Sequence, residues 1–371
     1  MKITCERGYL ANALGIASRA VSSRNTLPIL SNVLLETEDD KLKLTATDLD
    51  TAIRSVIPAQ VSENGAVAIP AALLNDIVSK LGDAPVSLEL QDGKVKVRSG
   101  KSDYTILSLP AEDFPVVPEV TDGTDITLPQ ATLKEMLRLT VFAASKEETR
   151  SILMGVLFEA RGNTLTLVAT DTHRLAWKKT TLSEEIANPI SQIIPAKPLS
   201  QLMASLSDSI EDTVHIRFGA SQVQFETAAV TLVSRVLDGQ FPNYEKVIPK
   251  NRERRVTIER QEFLGALRRV FIVAKQNNEK AIFTTKSDVM EITAESSDIG
   301  NAYEEVGIGM DGENLQIAFN SRYLVEVLGL LHDEKVTLDL AGSLNPGILR
   351  SQNGGDEPID DFLYVVMPMQ A

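Results

Sequence analysis

Residues 69–81 read "IPAALLNDIVSKL", and related stretches follow at intervals of 125 residues: "IPAKPLSQLMASL" at 194–206 and "FNSRYLVEVLGLL" at 319–331. Each copy has apolar residues at the i, i+3, i+4 and i+7 positions that form one face of a helix. The matching positions are Leu74, Ile77, Val78 and Leu81, then Leu199, Leu202, Met203 and Leu206, then Leu324, Val327, Leu328 and Leu331. This repeat predicts three copies of one structural unit.

A second helical pattern precedes each of these stretches. It is seen in "ITCERGYLANALGIASRAVS" from Ile3, "ITLPQATLKEMLRLTVFAAS" from Ile126 and "VTIERQEFLGALRRVFIVAK" from Val256. Two helices per repeat are therefore predicted. The segments lie at 8–24, 71–80, 130–150, 196–206, 261–280 and 320–332.

The rest of each repeat alternates apolar and polar residues in short runs. In "VSLELQDGKVKVRSG" (86–100) the alternation on both sides of "QDGK" predicts a β-hairpin. The order is strand, helix and three strands, twice per repeat, which indicates an α+β architecture with antiparallel sheets. Polar, turn-rich stretches at 119–125 and 249–255 place the domains at 1–122, 123–252 and 253–371.

Composition limits the class of protein. With 371 residues and 43% hydrophobic content, the chain is predicted to be a soluble multi-domain protein. Its single cysteine, Cys5, cannot form an internal disulfide, and we expect it to be buried in a strand. The three histidines offer no zinc-binding spacing, so no metal or cofactor is predicted. The start lacks a signal peptide, and no apolar run reaches about 18 residues, so we expect a cytoplasmic protein without a membrane partner.

The stretch "LVATDTHRLAW" (167–177) has the residue types of a hydrolytic centre, with Asp171 near His173. However, "LTATDLDTAI" (44–53) repeats its acid, Asp48, without a histidine, and a spacing of two residues is ordinary for neighbours in sequence. We therefore predict a turn at a strand end in which the aspartate caps backbone groups. Hydrolysis by Asp171 and His173 is the alternative.

The same stretch also suggests a surface pocket. Polar residues Thr172, His173 and Arg174 would form its rim, beside Leu175 and Leu153. The apolar chain end "LYVVMPMQA" (363–371) is either part of this surface or only a last edge strand. Methionine-rich surfaces adapt to several partners.

The triplicated unit occurs together with "TLPILSNVLLE" (26–36), "LVATDTHRLAW", "DGQFPNYEKVIP" (238–249) and "YVVMPM" (364–369), in this order. The chain thus resembles, from end to end, the bacterial DNA polymerase III beta subunit family, the sliding clamps. The resemblance implies the DNA clamp (processivity-factor) fold, in which two three-domain subunits close head to tail into a ring. Helices line the hole, double-stranded DNA passes through it without sequence preference, and the clamp tethers polymerases without catalysing a reaction.

The resemblance also implies a peptide groove. Its partners would be the DNA polymerase III catalytic subunit, the clamp loader, other polymerases and mismatch-repair proteins, all through short linear motifs. Three positions depart from the family pattern: Thr172 stands where glycine is common, Lys246 where arginine is common, and Gln370–Ala371 replaces a basic or leucine ending. The implied groove residues are Leu153, Thr170, Thr172, His173, Arg174, Leu175, Pro242, Lys246, Val247, Val365, Met367, Pro368 and Met369.

The net charge of −14 argues against a nucleic-acid partner, but the charge is distributed unevenly. The six predicted helical segments carry 13 Lys and Arg against 7 Asp and Glu, a net of +6, which leaves −20 for the rest. Helices could therefore line a hole for DNA, although a solvated helix face is the alternative for each residue. By resemblance, Arg24 is the foremost DNA-contact candidate. The full set is Arg19, Arg24, Lys134, Arg138, Lys146, Arg150, Lys197, Arg268, Arg269 and Lys275.

For closure of a homodimer, the resemblance points to "SDYTILS" (102–108) as an edge strand with Tyr104 and Ile106 on one face. It would meet the third domain at Phe271, Ile272 and Val273. Burial of these side chains within a domain is the alternative. A monomeric repeat protein that binds partners but not DNA is the other alternative for the whole chain.

Overall fold

The computed structural model describes residues 1–21, 27–117, 119–352 and 360–370. Within these ranges, each predicted helical segment contains one α-helix, so the prediction of two helices per repeat is confirmed. The helices are α1 (Arg7–Ala17), α2 (Ala71–Lys80), α3 (Gln130–Arg138), α4 (Ala196–Met203), α5 (Arg260–Ala274) and α6 (Ser321–Leu330).

Five of the six helices end earlier than predicted, and for α3 and α5 the local backbone gives the reason. After α3, Thr140 leaves the helical region with φ −125°, and its hydroxyl donates to the carbonyl of Met136. After α5, Asn278 and Glu279 have φ of 51° and 62°, a left-handed conformation that ends a helix. The predicted helix ends at 150, 206, 280 and 332 were wrong, and the helix predicted through 24 already ends at Ala17 within the described residues.

The strands follow the predicted order of strand, helix and three strands in the first and third repeats, with one extra strand in each, β5 and β24. The first repeat contains β1 (Lys2–Cys5), β2 (Asn32–Glu38), β3 (Lys41–Thr47), β4 (Thr51–Pro58), β5 (Gln60–Glu63), β6 (Ala66–Pro70), β7 (Val86–Gln91), β8 (Lys94–Ser99) and β9 (Ser102–Leu107). The second contains β10 (Thr124–Pro129), β11 (Gly155–Thr170), β12 (Arg174–Pro195), β13 (Thr213–Phe218), β14 (Gln222–Glu226) and β15 (Val230–Arg235). The third contains β16 (Arg254–Glu259), β17 (Lys280–Thr285), β18 (Val289–Ser296), β19 (Gly300–Asp311), β20 (Gln316–Asn320), β21 (Lys335–Leu340), β22 (Gly347–Gln352), β23 (Phe362–Val366) and β24 (Pro368–Met369).

The hairpin at "QDGK" is confirmed. Gln91 pairs with Lys94 across the antiparallel strands β7 and β8. Asp92 and Gly93 between them have φ of 52° and 71°, as a two-residue hairpin turn requires.

Strand pairing joins neighbouring repeats. One sheet has the order β5-β1-β7-β8-β9; the second has β10-β13-β14-β15-β4-β3-β2-β6, and the third has β11-β12-β23-β22-β21-β16-β19-β18-β17-β20-β24. In the second sheet Leu232 pairs with Ile53, and in the third Leu175 pairs with Val365, so each of these sheets combines strands of two repeats. The strand pairings between described residues, such as β1 with β5 and β15 with β4, are antiparallel, as predicted.

The chain accordingly forms two compact units although it has three repeats. The first comprises Met1–Lys134, Ile186–Ile190 and Lys197–Val236, and the second Glu135–Glu185, Ser191–Ala196 and Leu237–Ala371. The middle repeat is divided between them because its strands pair with both of its neighbours. The domain boundaries at 122 and 252 stay predictions.

The repeated helical stripes are buried as predicted, except that Ile77 and Met203 are half-buried. Cys5 is buried in β1, as expected, and burial raises the pKa of its thiol to about 12. Among the described residues, no helix has both the length and the apolar character needed to cross a membrane.

Candidate binding site

The turn between β11 and β12 is held by side chains that cap its backbone. One carboxylate oxygen of Asp171 accepts the backbone N–H groups of His173 and Arg174, both at 3.0 Å. The hydroxyl of Thr170 donates to the carbonyl of Arg174 at 2.7 Å and accepts from the N–H of Thr172 at 3.2 Å. These bonds make the turn a fixed wall, since its short side chains satisfy backbone groups that would otherwise lack partners.

The first repeat builds the same turn, which confirms the structural reading of the sequence. Asp48 accepts the N–H groups of Asp50 and Thr51, and the hydroxyl of Thr47 donates to the carbonyl of Thr51. The residue at the tip is left-handed in both copies, with φ of 78° for Leu49 and for Thr172. The glycine expected by resemblance at 172 would adopt this conformation without strain.

Arg174 lies beneath the turn rather than on its rim. Its guanidinium donates to Asp171 at 2.9 Å, to Glu326, and to the carbonyl of Phe142 at 2.9 Å. The ring of Tyr323 lies 4.5 Å from its central carbon. The sequence placed this basic group on the rim of a pocket; the structure buries it because two carboxylates and two aromatic rings surround it.

Glu326 on α6 connects this arginine to the third repeat. Burial raises the pKa of Glu326, but the hydrogen bonds and charges of Arg174 and Arg322 outweigh burial and lower it overall. The hydroxyl of Tyr364 donates to the carbonyl of Tyr323 at 3.2 Å on the same side. Arg174 therefore positions the wall, and its charge is compensated from within the protein.

His173 is exposed at the end of the turn. Its carbonyl accepts the N–H of Met367 at 2.9 Å, which ties the turn to the chain end. The carboxylate of Asp171 already accepts from two backbone N–H groups and from Arg174. The carboxylate of Asp171 therefore holds the turn. Asp171 and His173 do not converge with a nucleophile, as a hydrolytic centre requires.

An apolar cluster forms the floor beside this wall. Two of the predicted groove residues, Leu175 and Val365, belong to it and oppose each other across β12 and β23. The buried members are Leu157, Val168, Leu175, Ile193, Ile348, Leu363 and Val365, and the partly buried ones packed on them are Ile152, Trp177, Leu237, Phe241, Tyr244 and Ile248. We call this set the apolar cluster.

The segment 238–249 forms one rim of the site. Phe241, Tyr244 and Ile248 pack onto the apolar cluster, and the hydroxyl of Tyr244 donates to Glu159 at 2.7 Å. The predicted residues of this segment are exposed, namely Pro242, Lys246 and Val247. The inward residues Phe241, Tyr244 and Ile248 were not predicted from the sequence, although their spacing of three and four residues is typical of a helical turn.

The chain end forms the other rim. Met367, Pro368 and Met369 are half-buried, and Pro368 and Met369 pair with Phe319 and Ala318 of β20. This confirms that the end includes a strand, yet it leaves part of each side chain accessible. Leu153 is buried.

Models of the DNA polymerase III beta subunit family match the chain three times: the N-terminal domain at residues 1–118, the central domain at 127–243 and the C-terminal domain at 245–370. The beta sliding clamp of Synechocystis sp. is 36% identical over 393 residues, which cover 100% of this chain and 99% of the relative. That of Staphylococcus epidermidis is 32% identical over 381 residues, with the same coverage of 100% and 99%.

This chain belongs to the DNA polymerase III beta subunit family.

Solved structures agree with this assignment. The beta subunit from Thermotoga maritima has a TM-score of 0.92 at 29% identity, covering 100% of this chain and 99% of that one. The sliding clamp from Pseudomonas aeruginosa bound to griselimycin has a TM-score of 0.94 at 32% identity and covers 100% of both chains. The chain is thus a non-catalytic processivity factor of DNA replication with the clamp fold expected from its repeat.

The DNA-contact candidates of this clamp-family chain fall into two groups. Lys134, Arg138, Lys197 and Arg269 pair with Asp208, Glu135, Asp48 and Glu304, and Arg150 lies 3.7 Å from Glu147. Within the described ranges, Arg19, Lys146, Arg268 and Lys275 are exposed and have no acidic partner. Arg19, Lys146, Arg150 and Lys275 lie outside the α-helices, contrary to prediction, and Arg24 lies outside the described residues.

The residues predicted for subunit closure lie at two separate places. β9 is an edge strand of its sheet in the described part of the chain, as predicted, since it pairs with β8 alone. Tyr104 is exposed, whereas Ile106 is buried against its own domain. At the end of α5, Ile272 is exposed and its neighbours Phe271 and Val273 are half-buried.

Proposed function

We propose that two copies of this chain close head to tail into a ring around duplex DNA. β9 of one copy, with Tyr104, would meet the end of α5 of the other, with Ile272, because an exposed edge strand and exposed apolar residues favour pairing. We expect this clamp to act in the cytoplasm.

The ring would hold DNA by topology, with phosphate attraction as a minor contribution. Arg19, Lys146, Arg268 and Lys275 are the best contact candidates among the described residues, because their charges are not compensated by a neighbouring carboxylate. Phosphate contacts of this kind do not depend on sequence and weaken with salt, which suits a sliding contact.

The groove would bind short linear peptides of the DNA polymerase III catalytic subunit, the clamp loader, other polymerases and mismatch-repair proteins. The observation that carries this proposal is the apolar cluster, which adjoins the exposed segment 242–247, the half-buried residues 367–369 that follow β23, and a turn fixed by hydrogen bonds. Leu and Phe side chains of a peptide would anchor there, and His173, Thr172 and Lys246 offer polar contacts at the edge.

Retention on plasmid DNA tests the ring. After loading by the cognate clamp loader onto nicked circular plasmid, we expect the protein to stay bound at high salt and to be lost when the plasmid is linearised. Equal retention on both forms would mean ordinary DNA affinity and would contradict the ring.

A peptide titration tests the groove separately. A labelled peptide with Leu and Phe anchors should bind the wild type and bind His173→Ala about tenfold more weakly, while the melting temperature stays unchanged because His173 is exposed. Unchanged affinity in both His173→Ala and Val247→Ala would contradict the assignment of this surface.

A further inference from the structure

A concave site adjoins the apolar cluster in the second unit. This cavity of about 430 Å³ is lined by part of the segment 249–255, by β21 and β22, and by Asp360. Its basic residues are Lys250, Arg252, Arg255 and Arg350, and its acidic residues are Asp339 and Asp360. We call it the cationic pocket.

A buried carboxylate orients two of the arginines. Asp339 is only 6% exposed. Arg255 donates to both of its oxygens, at 2.6 and 3.0 Å, and Arg350 donates to one of them at 2.8 Å. Such charge-assisted bonds fix the orientation of the two guanidinium groups.

The arrangement leaves positive charge available. Among the described residues, Arg350 lines the cavity and pairs with Asp339 alone, through one nitrogen of its guanidinium. Lys250 and Arg252 are exposed and have no acidic partner within the described ranges. Among the described residues of the lining, four are basic and two are acidic, an excess of positive charge that favours an anion.

The cationic pocket is continuous with the candidate groove. Ile348 lines the pocket and also belongs to the apolar cluster, where it pairs with Val365. Ile248 packs on the cluster, and the next residue, Pro249, lines the pocket. An extended peptide advances about 3.3 Å per residue, so a side chain a few residues from an apolar anchor can reach the pocket.

We propose that the cationic pocket binds the carboxylate of an acidic residue that flanks the apolar anchors of a partner's linear peptide. This proposal rests on the peptide groove proposed above. The apolar neighbour favours a peptide over a nucleic acid, because phosphate binding alone requires no contact with an apolar floor. The carboxylate would complete the hydrogen bonds of Arg350 and neutralise Lys250 and Arg252 at the rim.

A peptide scan tests the proposal. Fluorescence anisotropy would give the Kd of synthetic peptides with fixed Leu and Phe anchors and with Glu or Gln at each flanking position in turn. On one side of the anchors, at one or more neighbouring positions, we expect the peptide with Glu to bind the wild-type protein about tenfold more tightly than the peptide with Gln. In the double variant Lys250→Gln/Arg252→Gln this preference should fall below about twofold, because the rim charge is gone.

Lys101→Gln is the matched control, since it removes an exposed charge in the turn before β9 and should keep the full Glu preference. Both rim residues are exposed, so the double variant should fold, and its melting temperature would verify this. Arg350→Gln provides a second variant and should reduce the preference in the same direction.

The outcomes separate the two proposals. Failure of every peptide to bind the wild type would overturn the groove and this inference with it. Binding with no Glu preference, or with a preference that the double variant keeps, would overturn this inference alone. If the double variant lost retention on short duplex DNA but kept the Glu preference, the pocket would serve nucleic acid and the proposal would be wrong.

Discussion

Arg174 and Asp171 form a hydrogen-bonded ion pair of 2.9 Å beneath the turn that they share, and the second oxygen of Asp171 caps the same turn. The pair joins the wall of the candidate groove to the aromatic and acidic residues below it. Both side chains are largely buried. The charge of Arg174 therefore fixes the shape of the wall without direct contact with a bound peptide.

Replacing Arg174 should destabilise the second unit. In Arg174→Ala the carboxylate of Asp171 loses its ion-pair partner and Glu326 keeps only the exposed Arg322, which should lower the free energy of unfolding by about 3–5 kcal/mol. Thermal and urea unfolding would measure the loss. The control Lys246→Ala removes an exposed charge and should change it by less than about 0.5 kcal/mol. Equal free energies of unfolding for Arg174→Ala and the wild type would show that the ion pairs of Arg174 do not stabilise the fold.

The lowered pKa of Glu326 predicts a pH dependence of stability. A carboxylate whose pKa in the folded state lies below its ordinary value of 4.5 stabilises the fold above that value and stops doing so as the pH falls through the folded pKa. The melting temperature of wild type should exceed that of Glu326→Gln at pH 7, and the difference should shrink below about pH 4.5. A difference that does not change between pH 7 and pH 3 would contradict this assignment.

Thr172 carries backbone strain that glycine would relieve. A β-branched residue at φ 78° is unfavourable, and glycine adopts this conformation freely. Thr172→Gly should therefore raise the free energy of unfolding by up to about 1 kcal/mol, even though the hydrogen bond from Arg150 to the Thr172 hydroxyl is lost. Thr172→Ala removes the same hydroxyl without the conformational freedom of glycine. If alanine stabilised as much as glycine, strain would not be the cause.

Two adjacent arginines on α5 offer a matched comparison for DNA binding. Arg269 donates to both oxygens of Glu304 at 2.7 Å, whereas Arg268 has no acidic partner among the described residues. The slope of log K for duplex DNA against log salt is negative, and Arg268→Ala should reduce its magnitude by about 1. Arg269→Ala should change it less. Equal slopes for both variants and the wild type would remove Arg268 from the proposed lining.

The proposed subunit contact depends on an exposed isoleucine. Ile272 is 68% exposed, and Ile272→Asp should place a charge in the interface and give particles of 40.5 kDa where the wild type has twice that mass. Sedimentation at micromolar concentration would measure this. The matched control is Leu344→Asp, because Leu344 is an apolar residue with 79% exposure outside the proposed contact. Identical masses for wild type and both variants would contradict the contact.

The sequence alone determined the threefold repeat, the six helices, the hairpin at 91–94 and the capped turns at Asp48 and Asp171. These features depend on residues close together in the chain, whose apolar spacing and turn chemistry can be read locally. The edge position of β9 could be predicted only by resemblance to a family, and the structure bears it out.

Tertiary structure alone decided which repeats share a sheet, where Arg174 lies and which residues complete the floor of the groove. Leu232 with Ile53, and Ile348 with Val365, are pairs between distant segments whose alternation of apolar residues fits many partners equally well. Arg174 is polar and sits beside a turn, so local sequence favours exposure. Its burial follows from Glu326 and Tyr323, which the chain brings beneath it from about 150 residues away.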